Sequence, residues 1–360
     1  MDIRNVSNMR MGNKMTEELE VKIKDLFKGL EGKKVAIWIA GLDPDSMGSA
    51  TALKHIAKQF KAESVIWSEN YLAHPQNHTM KNSLDIVVHN SNDEKYDHAD
   101  YDKAFCVDCV PSMLPCENID VIIDHHPKNF DSSTLSKYEI VDIRSNAACG
   151  SIIYNWMEVL GVMDTLSDEE GAIVATSLLF AIHNDSDGLV SKELQKIDFE
   201  AYMGLHKFCD LQKLNNILNY QIPRYYLEAQ AESMKPENTH ILNTTYISCV
   251  GYLPKSRRDV LAQLSDNYVR LDGINTAIVF AIVDGNLEGC CRSSDVALNL
   301  HTFTQNIFGK EFSGGKLSKS AGKVPLGFLQ ADEHTDKNLR DKILEAVKAK
   351  VLSLIEKEVG

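Results

Sequence analysis

A short apolar stretch near the middle of the sequence ends in one carboxylate and two imidazoles. Residues 121–123 are followed directly by Asp124, His125 and His126. A buried strand that carries these side chains at its tip presents groups that can bind a cation or contact an anion. Asp and His together, with no cluster of thiolates, suit manganese or a similar divalent ion. The stretch therefore predicts a metal site.

Three other segments, far apart in the sequence, also end in carboxylates. Asp43 and Asp45 follow one apolar run, Asp108 follows another, and Asp185 ends an apolar helical stretch. Ligands of an open parallel sheet bind beyond the carboxyl ends of its strands, so we expect the strand-end residues to converge on one edge. Crowded carboxylates repel one another unless cations lie among them. Two ions bridged by one carboxylate would hold a phosphoryl group and activate a water molecule as the nucleophile.

Each of these residues also has a plainer explanation. Asp43 before a proline is typical of a turn that caps a helix. Asp108 and Asp185 are compatible with a soluble strand end and a helix end, and the two histidines with a surface pair. The joint occurrence of the four segments in this order favours the functional interpretation.

The elements that must position these residues alternate between strand and helix. Short apolar runs predict strands at 33–40, 63–68, 103–109 and 119–126. Apolar residues at helical spacing predict helices at 49–60, 149–162 and 168–185. This alternation implies an α/β fold with a parallel sheet covered on both faces. We divide the chain into a metal-bearing domain, a helical connector and a smaller α/β domain separated from the first by a cleft, at 1–193, 194–234 and 235–360.

Composition limits the classes of function. A length of 360 residues is too great for one ordinary core and predicts two domains. The net charge of −13 argues against a protein that coats long DNA, because such binding draws on many Lys and Arg contacts to phosphate. No apolar run is long enough for a membrane span, and the N-terminus lacks an apolar signal core. Eight cysteines, most of them within apolar runs, predict a reduced, cytoplasmic protein. The oligomeric state, including a homodimer, stays open.

The four segments resemble the motifs of the DHH-family phosphoesterases, a family named for the triplet at 124–126. The stretches DPDSMGSATAL, VDC, DHHP and IHNDSDG are similar, in order, to the family's first to fourth motifs. The resemblance implies a RecJ-like or NrnA-like DHH domain followed by the DHH-associated C-terminal domain. It also implies manganese as the cofactor, as one or two ions, with Mg²⁺ and Co²⁺ as alternatives.

The resemblance further implies roles for individual carboxylates. Asp43 and Asp108 would hold a first metal ion. Asp45, Asp108, His125 and Asp185 would hold a second ion, so that Asp108 bridges the two.

Two catalytic roles and one departure follow from the same resemblance. His126 would contact the substrate phosphate, and Asp124 would lie behind the metal site and orient a histidine. The family's first motif normally begins with a His four residues before its first Asp, but Ile39 stands there in this chain. The first metal site therefore lacks its neutral ligand.

The C-terminal half resembles the substrate-binding domain of the family. An Arg-Ser pair and a glycine-rich loop grip the nucleotide end of the substrate in that family. Glycines let backbone N–H groups approach phosphate closely, and an arginine contacts it in bidentate fashion. The loop departs from the family pattern at Leu317, where a His is usual. The residues expected to bind substrate are Arg292, Ser293, Gly314, Gly315 and Lys316.

Together these features predict a metal-dependent phosphodiesterase or phosphatase that acts on short nucleotides. The expected substrates are oligoribonucleotides cleaved from one end, as by an exonuclease, dinucleotides or a nucleoside bisphosphate. One alternative is a phosphoanhydride hydrolase related to exopolyphosphatase or pyrophosphatase. Another is a degenerate, nucleotide-binding regulatory protein, because Ile39 and Leu317 each place an alkyl group where the family has an imidazole.

Overall fold

The computed structural model describes residues 15–116, 118–126, 135–295, 297–315, 318–331 and 335–359. The chain divides into two compact units, one that ends at Gln221 and one that begins at Ile222. The first contains a parallel sheet and the second is a smaller α/β unit, so the predicted fold class is confirmed. Among the described residues, no helix combines the length and the apolar character that a membrane crossing requires.

The first unit is built from short strands that alternate with helices. Its described strands are β1 (Lys34–Ile39), β2 (Glu63–Ser68), β3 (His89–Asn90), β4 (Lys103–Val107), β5 (Val121–Asp124) and β6 (Ile140–Ile143). Its described helices are α1 (Glu17–Lys28), α2 (Pro44–Gln59), α3 (Pro75–Ser83), α4 (Cys149–Leu160), α5 (Asp168–Asp185), α6 (Lys196–His206) and α7 (Leu211–Leu218). Helices α6 and α7 come from the stretch predicted as a connector.

The sheet of the first unit is parallel throughout, with the strand order β3-β2-β1-β4-β5-β6. The chain runs outward from β1 to β2 and β3 and then resumes on the other side of β1 with β4. The strand order therefore reverses between β1 and β4. Such a switch point is where open α/β sheets bind ligands, beyond the carboxyl ends of the strands.

Strand β1 is apolar on both of its faces. Ile37 and Ile39 belong to the cluster formed with α2, α4 and α5, whereas Ala36 and Trp38 belong to the cluster on the opposite face. All four side chains are fully buried. This pattern is expected for a central strand of a parallel sheet, because both faces of the sheet are covered.

Helices α2 and α5 pack closely because a glycine lies at their contact. A Cβ atom on Gly48 of α2 would lie 2.7 Å from the carbonyl oxygen of Ser177 and 3.1 Å from the Cβ of Ala181, both on α5. A larger residue at position 48 would force the two helices apart. This contact matters for the site, because α2 begins and α5 ends at the carboxyl edge of the sheet.

The second unit contains a mixed sheet of the order β11-β12-β10-β9-β8-β7, in which only β8 and β9 pair in parallel. The largely apolar stretch at 240–253 forms two strands, because Asn243 adopts a positive φ of 53° and turns the chain. The described strands are β7 (Thr239–Leu242), β8 (Thr245–Leu253), β9 (Thr276–Val283), β10 (Asn286–Ser293), β11 (Ser313–Gly315) and β12 (Lys319–Pro325). The described helices are α8 (Arg224–Ser233), α9 (Val260–Tyr268), α10 (Leu300–Phe308) and α11 (Lys337–Val359).

Candidate metal centre

Four elements of the first unit bring three carboxylates and one imidazole together. Asp45 lies in the first turn of α2, Asp108 follows β4, His125 follows β5, and Asp185 ends α5. The Nε2 atom of His125 lies 3.4 Å from Oδ1 of Asp108, 3.6 Å from Oδ2 of Asp45 and 3.7 Å from Oδ2 of Asp185. The Nε2 atom of His125 thus lies close to all three carboxylates at the switch point of the sheet.

The donor atoms at this point fit a divalent cation. Nε2 of His125 and Oδ1 of Asp108 are buried and have no hydrogen-bond partner among the described residues. The Nδ1 atom of His125 lies 3.1 Å from the carbonyl oxygen of Asn146. Because a carbonyl only accepts, Nδ1 carries the proton of the neutral ring and Nε2 presents a lone pair. Unpaired buried acceptors are costly unless a cation takes them, and imidazole with carboxylate suits manganese and similar ions.

Asp45 is oriented by the first backbone N–H groups of α4. Its Oδ2 accepts from the N–H of Cys149 at 2.6 Å and its Oδ1 from the N–H of Gly150 at 2.8 Å. The amino end of a helix stabilises a negative charge. Burial nevertheless raises the pKa of Asp45 well above its usual range, and the carboxylates of Asp108 and Asp185 raise it further. The charged form of this residue therefore needs a cation nearby.

Asp108 adopts an uncommon backbone conformation, with a positive φ of 56°. Its N–H donates to the carbonyl oxygen of Ile123 on β5 at 2.8 Å, which anchors the turn after β4. Its Oδ2 accepts from the hydroxyl of Ser46 at 2.8 Å, while its Oδ1 faces His125. Asp tolerates this conformation better than most residues, and such strain is typical of functional sites.

Asp43 lies at the same edge but outside the groups of atoms that could share an ion. Two such groups exist among the described residues: Asp108 with His125 and His126, and Asp45 with His125 and Asp185. Asp43 instead caps α2, and its Oδ1 accepts from the N–H of Ser46 at 2.9 Å and from the Ser46 hydroxyl at 2.8 Å. Burial, together with the carboxylates of Asp108 and Asp185, raises the pKa of Asp43 to about 6.

Asp124 and His126 form a separate pair beside the cluster. Asp124 is fully buried, and its Oδ1 accepts from the backbone N–H groups of His125 and His126 and from Nδ1 of His126 at 2.9 Å. The proton on Nδ1 leaves Nε2 of His126 as the outer ring nitrogen. The His126 ring is 29% exposed, and its Nδ1 lies 3.7 Å from Oδ1 of Asp108. The ring is therefore fixed next to the cluster and accessible to a substrate.

A buried carboxylate that the sequence analysis missed supports this arrangement from behind. Asp198 on α6 is fully buried and accepts from Asn146 Nδ2 at 2.8 Å, the Ala147 N–H at 3.0 Å, the Ser151 hydroxyl at 2.6 Å and the Gln195 N–H at 2.8 Å. It thereby holds the turn at 146–150. The Asn146 carbonyl oxygen in this turn orients His125, and the N–H groups at its end orient Asp45. The only local signal was a helix cap, because Asp198 is the third residue of α6 and closes a capping box with Gln195.

Comparison with known proteins agrees with these features. Residues 34–182 match the model described as the DHH family, N-terminal domain. This part of the chain is a DHH-family domain. The uncharacterized protein MJ1633 of Methanocaldococcus jannaschii is 32% identical over 321 residues, which cover 87% of this chain and 62% of that protein. The chain therefore spans less than two thirds of the length of this relative.

Two solved structures align with most of the chain. An exopolyphosphatase-related protein from Bacteroides fragilis superposes with a TM-score of 0.66 and 13% identity, covering 95% of this chain and 100% of that one. At this identity the likeness establishes the fold. RecJ of Thermus thermophilus in complex with Mn²⁺ gives a TM-score of 0.48 at 11% identity, covering 97% of this chain and 56% of that one. A score at this level supports no conclusion about activity.

The metal-free DHH domain is expected to lose stability as the pH rises. Burial opposes the charging of His125, but Asp108, Asp45 and Asp185 raise its pKa from 6.5 to about 10. A group that holds its proton more tightly when folded contributes stability that is complete below the unfolded pKa and is lost as the pH rises toward the folded pKa. The loss therefore falls between pH 6.5 and about 10 for His125. For Asp43, whose pKa is raised from 3.8 to about 6, the corresponding loss of stability falls between these two pH values.

Urea denaturation in EDTA checks this expectation. The free energy of unfolding should fall by about 2 kcal/mol between pH 6 and pH 8, a range chosen below the ionisation of unfolded cysteines. The His125→Gln variant should lose most of this slope. Metal-free stability that rises over the same interval would contradict the electrostatic description of the site.

The second unit contains the predicted substrate-binding arginine in an ion pair. Nε of Arg292 lies 2.6 Å from Oδ1 of Asp266, and its Nη1 donates to the Cys291 carbonyl oxygen at 3.1 Å. The neighbouring Ser293 is buried, and its hydroxyl lies 3.1 Å from the carbonyl oxygen of Asn275. Arg292 also lines a pocket of the second unit. Ser293 does not line this pocket, and its hydroxyl bonds within the second unit.

This pocket has a volume of about 320 Å³ and charges of both signs. A Cβ atom on Gly315 would collide with the backbone at Lys319 and Ser320, so glycine is required for the β11–β12 hairpin. The loop residues Lys316 and Leu317 lie outside the described residues. The lining includes Arg258, Glu288, Arg292, Gly314, Gly315 and Lys319.

Proposed function

We propose that this chain is a metal-dependent phosphoester hydrolase whose ion is bound by Asp45, Asp108, His125 and Asp185. One observation carries the proposal: Nε2 of His125 and Oδ1 of Asp108 are buried, 3.4 Å apart and without hydrogen-bond partners among the described residues. A pair of this kind at the switch point of a DHH domain fits a site built for a cation. Manganese is the proposed ion, because carboxylate and imidazole ligands suit it.

The roles of the protein groups follow from their geometry. When bound, the ion supplies Lewis-acid polarisation of a phosphoryl oxygen and lowers the pKa of water. In the imidazolium form of His126, in which both ring nitrogens carry a proton, the outer Nε2 would donate to a phosphoryl oxygen and stabilise developing negative charge. Asp124 keeps the proton on Nδ1 of His126 and fixes the ring. The backbone N–H groups of Cys149 and Gly150 hold Asp45 in its orientation.

The proposed substrate is a short nucleotide. The net charge of −13 disfavours long nucleic acid. The pocket of about 320 Å³ in the second unit presents Arg292 and two glycines, which suit a phosphate or a base. We also propose a cytoplasmic location, which the eight free cysteines support. A second candidate is phosphoanhydride hydrolysis, since the fold is shared with an exopolyphosphatase-related protein.

Turnover of defined substrates separates the two candidates. With Mn²⁺, the protein should release mononucleotides from a 5′-phosphorylated diribonucleotide faster than phosphate from pyrophosphate or tripolyphosphate, and EDTA should abolish the reaction. Arg292→Gln should raise the KM for the dinucleotide about tenfold, because a charged hydrogen bond contributes roughly 1.5–3 kcal/mol. Arg257→Gln is the matched control, because Arg257 is exposed and outside the pocket. Preferred hydrolysis of tripolyphosphate, unaffected by Arg292→Gln, would favour the second candidate.

A further inference from the structure

We propose that Asp43 positions the site without binding metal, and that the site holds one divalent cation per chain. The inference rests on the proposed metal-dependent function for the nature of the ligand. It departs from the expectation that Asp43 and Asp108 hold a first ion of two.

The carboxylate of Asp43 is already engaged within its own turn. Its Oδ1 accepts two hydrogen bonds from Ser46, one from the N–H at 2.9 Å and one from the hydroxyl at 2.8 Å. Its Oδ2 occupies space that a Cβ atom at position 41 would need, so Gly41 leaves room for the carboxylate in this orientation. The residue therefore serves as the N-cap of α2, a role for which a carboxylate is well suited.

A hydroxyl lies where an ion between Asp43 and Asp108 would have to bind. Oγ of Ser46 is 2.8 Å from Oδ1 of Asp43 and 2.8 Å from Oδ2 of Asp108, and Ser46 is 1% exposed. The hydroxyl has a single proton, which the two carboxylates share. An ion bound there would have to displace a buried side chain that packs at the start of α2.

Among the described residues, no group of atoms that could share an ion contains Asp43 together with an imidazole. Ile39 ends β1 with a fully buried side chain that belongs to the apolar core. Among the described residues, the only histidines in groups that could share an ion are His125 and His126. His89 is engaged elsewhere, since its Nδ1 lies 2.7 Å from Glu94.

The set of candidate ligands around Nε2 of His125, by contrast, contains both an imidazole and several carboxylates. Three carboxylate oxygens lie 3.4 to 3.7 Å from its Nε2, and His125 is common to both groups of atoms that could share an ion. One cation satisfies both orphaned atoms, Nε2 of His125 and Oδ1 of Asp108. Asp43 then acts through Ser46, which holds Oδ2 of Asp108 so that Oδ1 turns toward the ion.

Metal counting on the full chain tests this inference without any substrate. The protein is stripped with EDTA, dialysed against Mn²⁺, and the bound ion is quantified by elemental analysis and by electron paramagnetic resonance. The wild type should bind one ion with the six-line spectrum of isolated Mn²⁺. Asp43→Asn should also bind one, with an affinity within about threefold, because Asn caps a helix as well as Asp does. Asp185→Asn should weaken binding at least about tenfold.

Asp43→Ser, which keeps a capping oxygen, provides a second variant, and thermal unfolding establishes that each variant is folded. Two ions in the wild type that fall to one in Asp43→Asn would overturn the inference. Two bound ions in an active enzyme would contradict the one-ion inference but not the proposed hydrolase function. One bound ion in an inactive protein would contradict the hydrolase function but not the one-ion inference. Absence of any bound ion would overturn both.

Discussion

Asp108→Asn should lower turnover of the phosphorylated substrate by about 10³-fold or more. Oδ1 of Asp108 lies 3.4 Å from Nε2 of His125, and no protein group satisfies either atom among the described residues. An amide removes the negative charge on which the ion depends. The Lewis-acid contribution of a bound ion is worth several kcal/mol, and about 4 kcal/mol corresponds to a factor of 10³ in rate. Steady-state kinetics at saturating Mn²⁺ measure the effect.

Replacement by Asn avoids a change in backbone conformation that could itself lower the rate. Asp108 has a φ of 56°, and Asn is one of the residues that tolerate this region best. Asp187→Asn is the matched control, because Asp187 also has a positive φ of 50° but is exposed and outside the groups that could share an ion. The control should stay within about twofold of wild type. If Asp108→Asn retained a tenth of the wild-type rate, Asp108 would not be a ligand of the catalytic ion.

Replacing Asp198 should produce the largest loss of stability. The carboxylate accepts from the Asn146 side chain, the Ala147 N–H, the Ser151 hydroxyl and the Gln195 N–H, all at 2.6 to 3.0 Å. Asp198→Ala leaves these donors in a buried space without an acceptor, and each costs roughly 1–3 kcal/mol. We expect a loss of about 4 kcal/mol in the free energy of unfolding, measured by urea denaturation with Mn²⁺ present.

The affinity for Mn²⁺ distinguishes positioning from bulk stability. Loss of Asp198 frees the turn that orients His125 and Asp45, so Mn²⁺ should bind about 10- to 100-fold more weakly. Asp198→Asn, which conserves volume and one acceptor, should fall between wild type and Ala. Asp210→Ala is the control, because Asp210 caps α7 through the N–H groups of Gln212 and Lys213 and should cost about 1 kcal/mol without affecting metal binding. Equal losses of affinity in both Ala variants would reduce Asp198 to a structural role.

Much of the candidate metal centre was predictable because parallel strands end at a common edge. The runs that became β1, β4 and β5 are apolar at nearly every position, and the first polar residues after them had to lie at that edge. Asp45, Asp108 and His125 followed from this argument, and Asp185 from the end of an apolar helix. The sequence could not separate capping from ligation for Asp43, because Asp followed three residues later by Ser suits both.

The remaining features depend on tertiary contacts that leave no pattern in the sequence. Asn146 contributes a carbonyl oxygen to the site, and every residue has one. Asp198 is distant in sequence from Asn146, Ala147 and Ser151, which it contacts only after α6 packs. Strands β3 and β6 are too short for an alternation to be recognised. In the second unit, the break between β7 and β8 depends on the positive φ of Asn243.

The close helix contact at Gly48 would also affect which cation the proposed site selects. Asp45 lies about one turn before Gly48 on α2, and Asp185 lies about one turn beyond Ala181, which packs against Gly48 from α5. The spacing between these two carboxylates therefore follows the distance between the helices. Divalent ions differ in radius and in tolerance of irregular coordination. Discrimination by ionic size in the proposed site would thus depend in part on the contact between α2 and α5, at a position outside the set of proposed ligands.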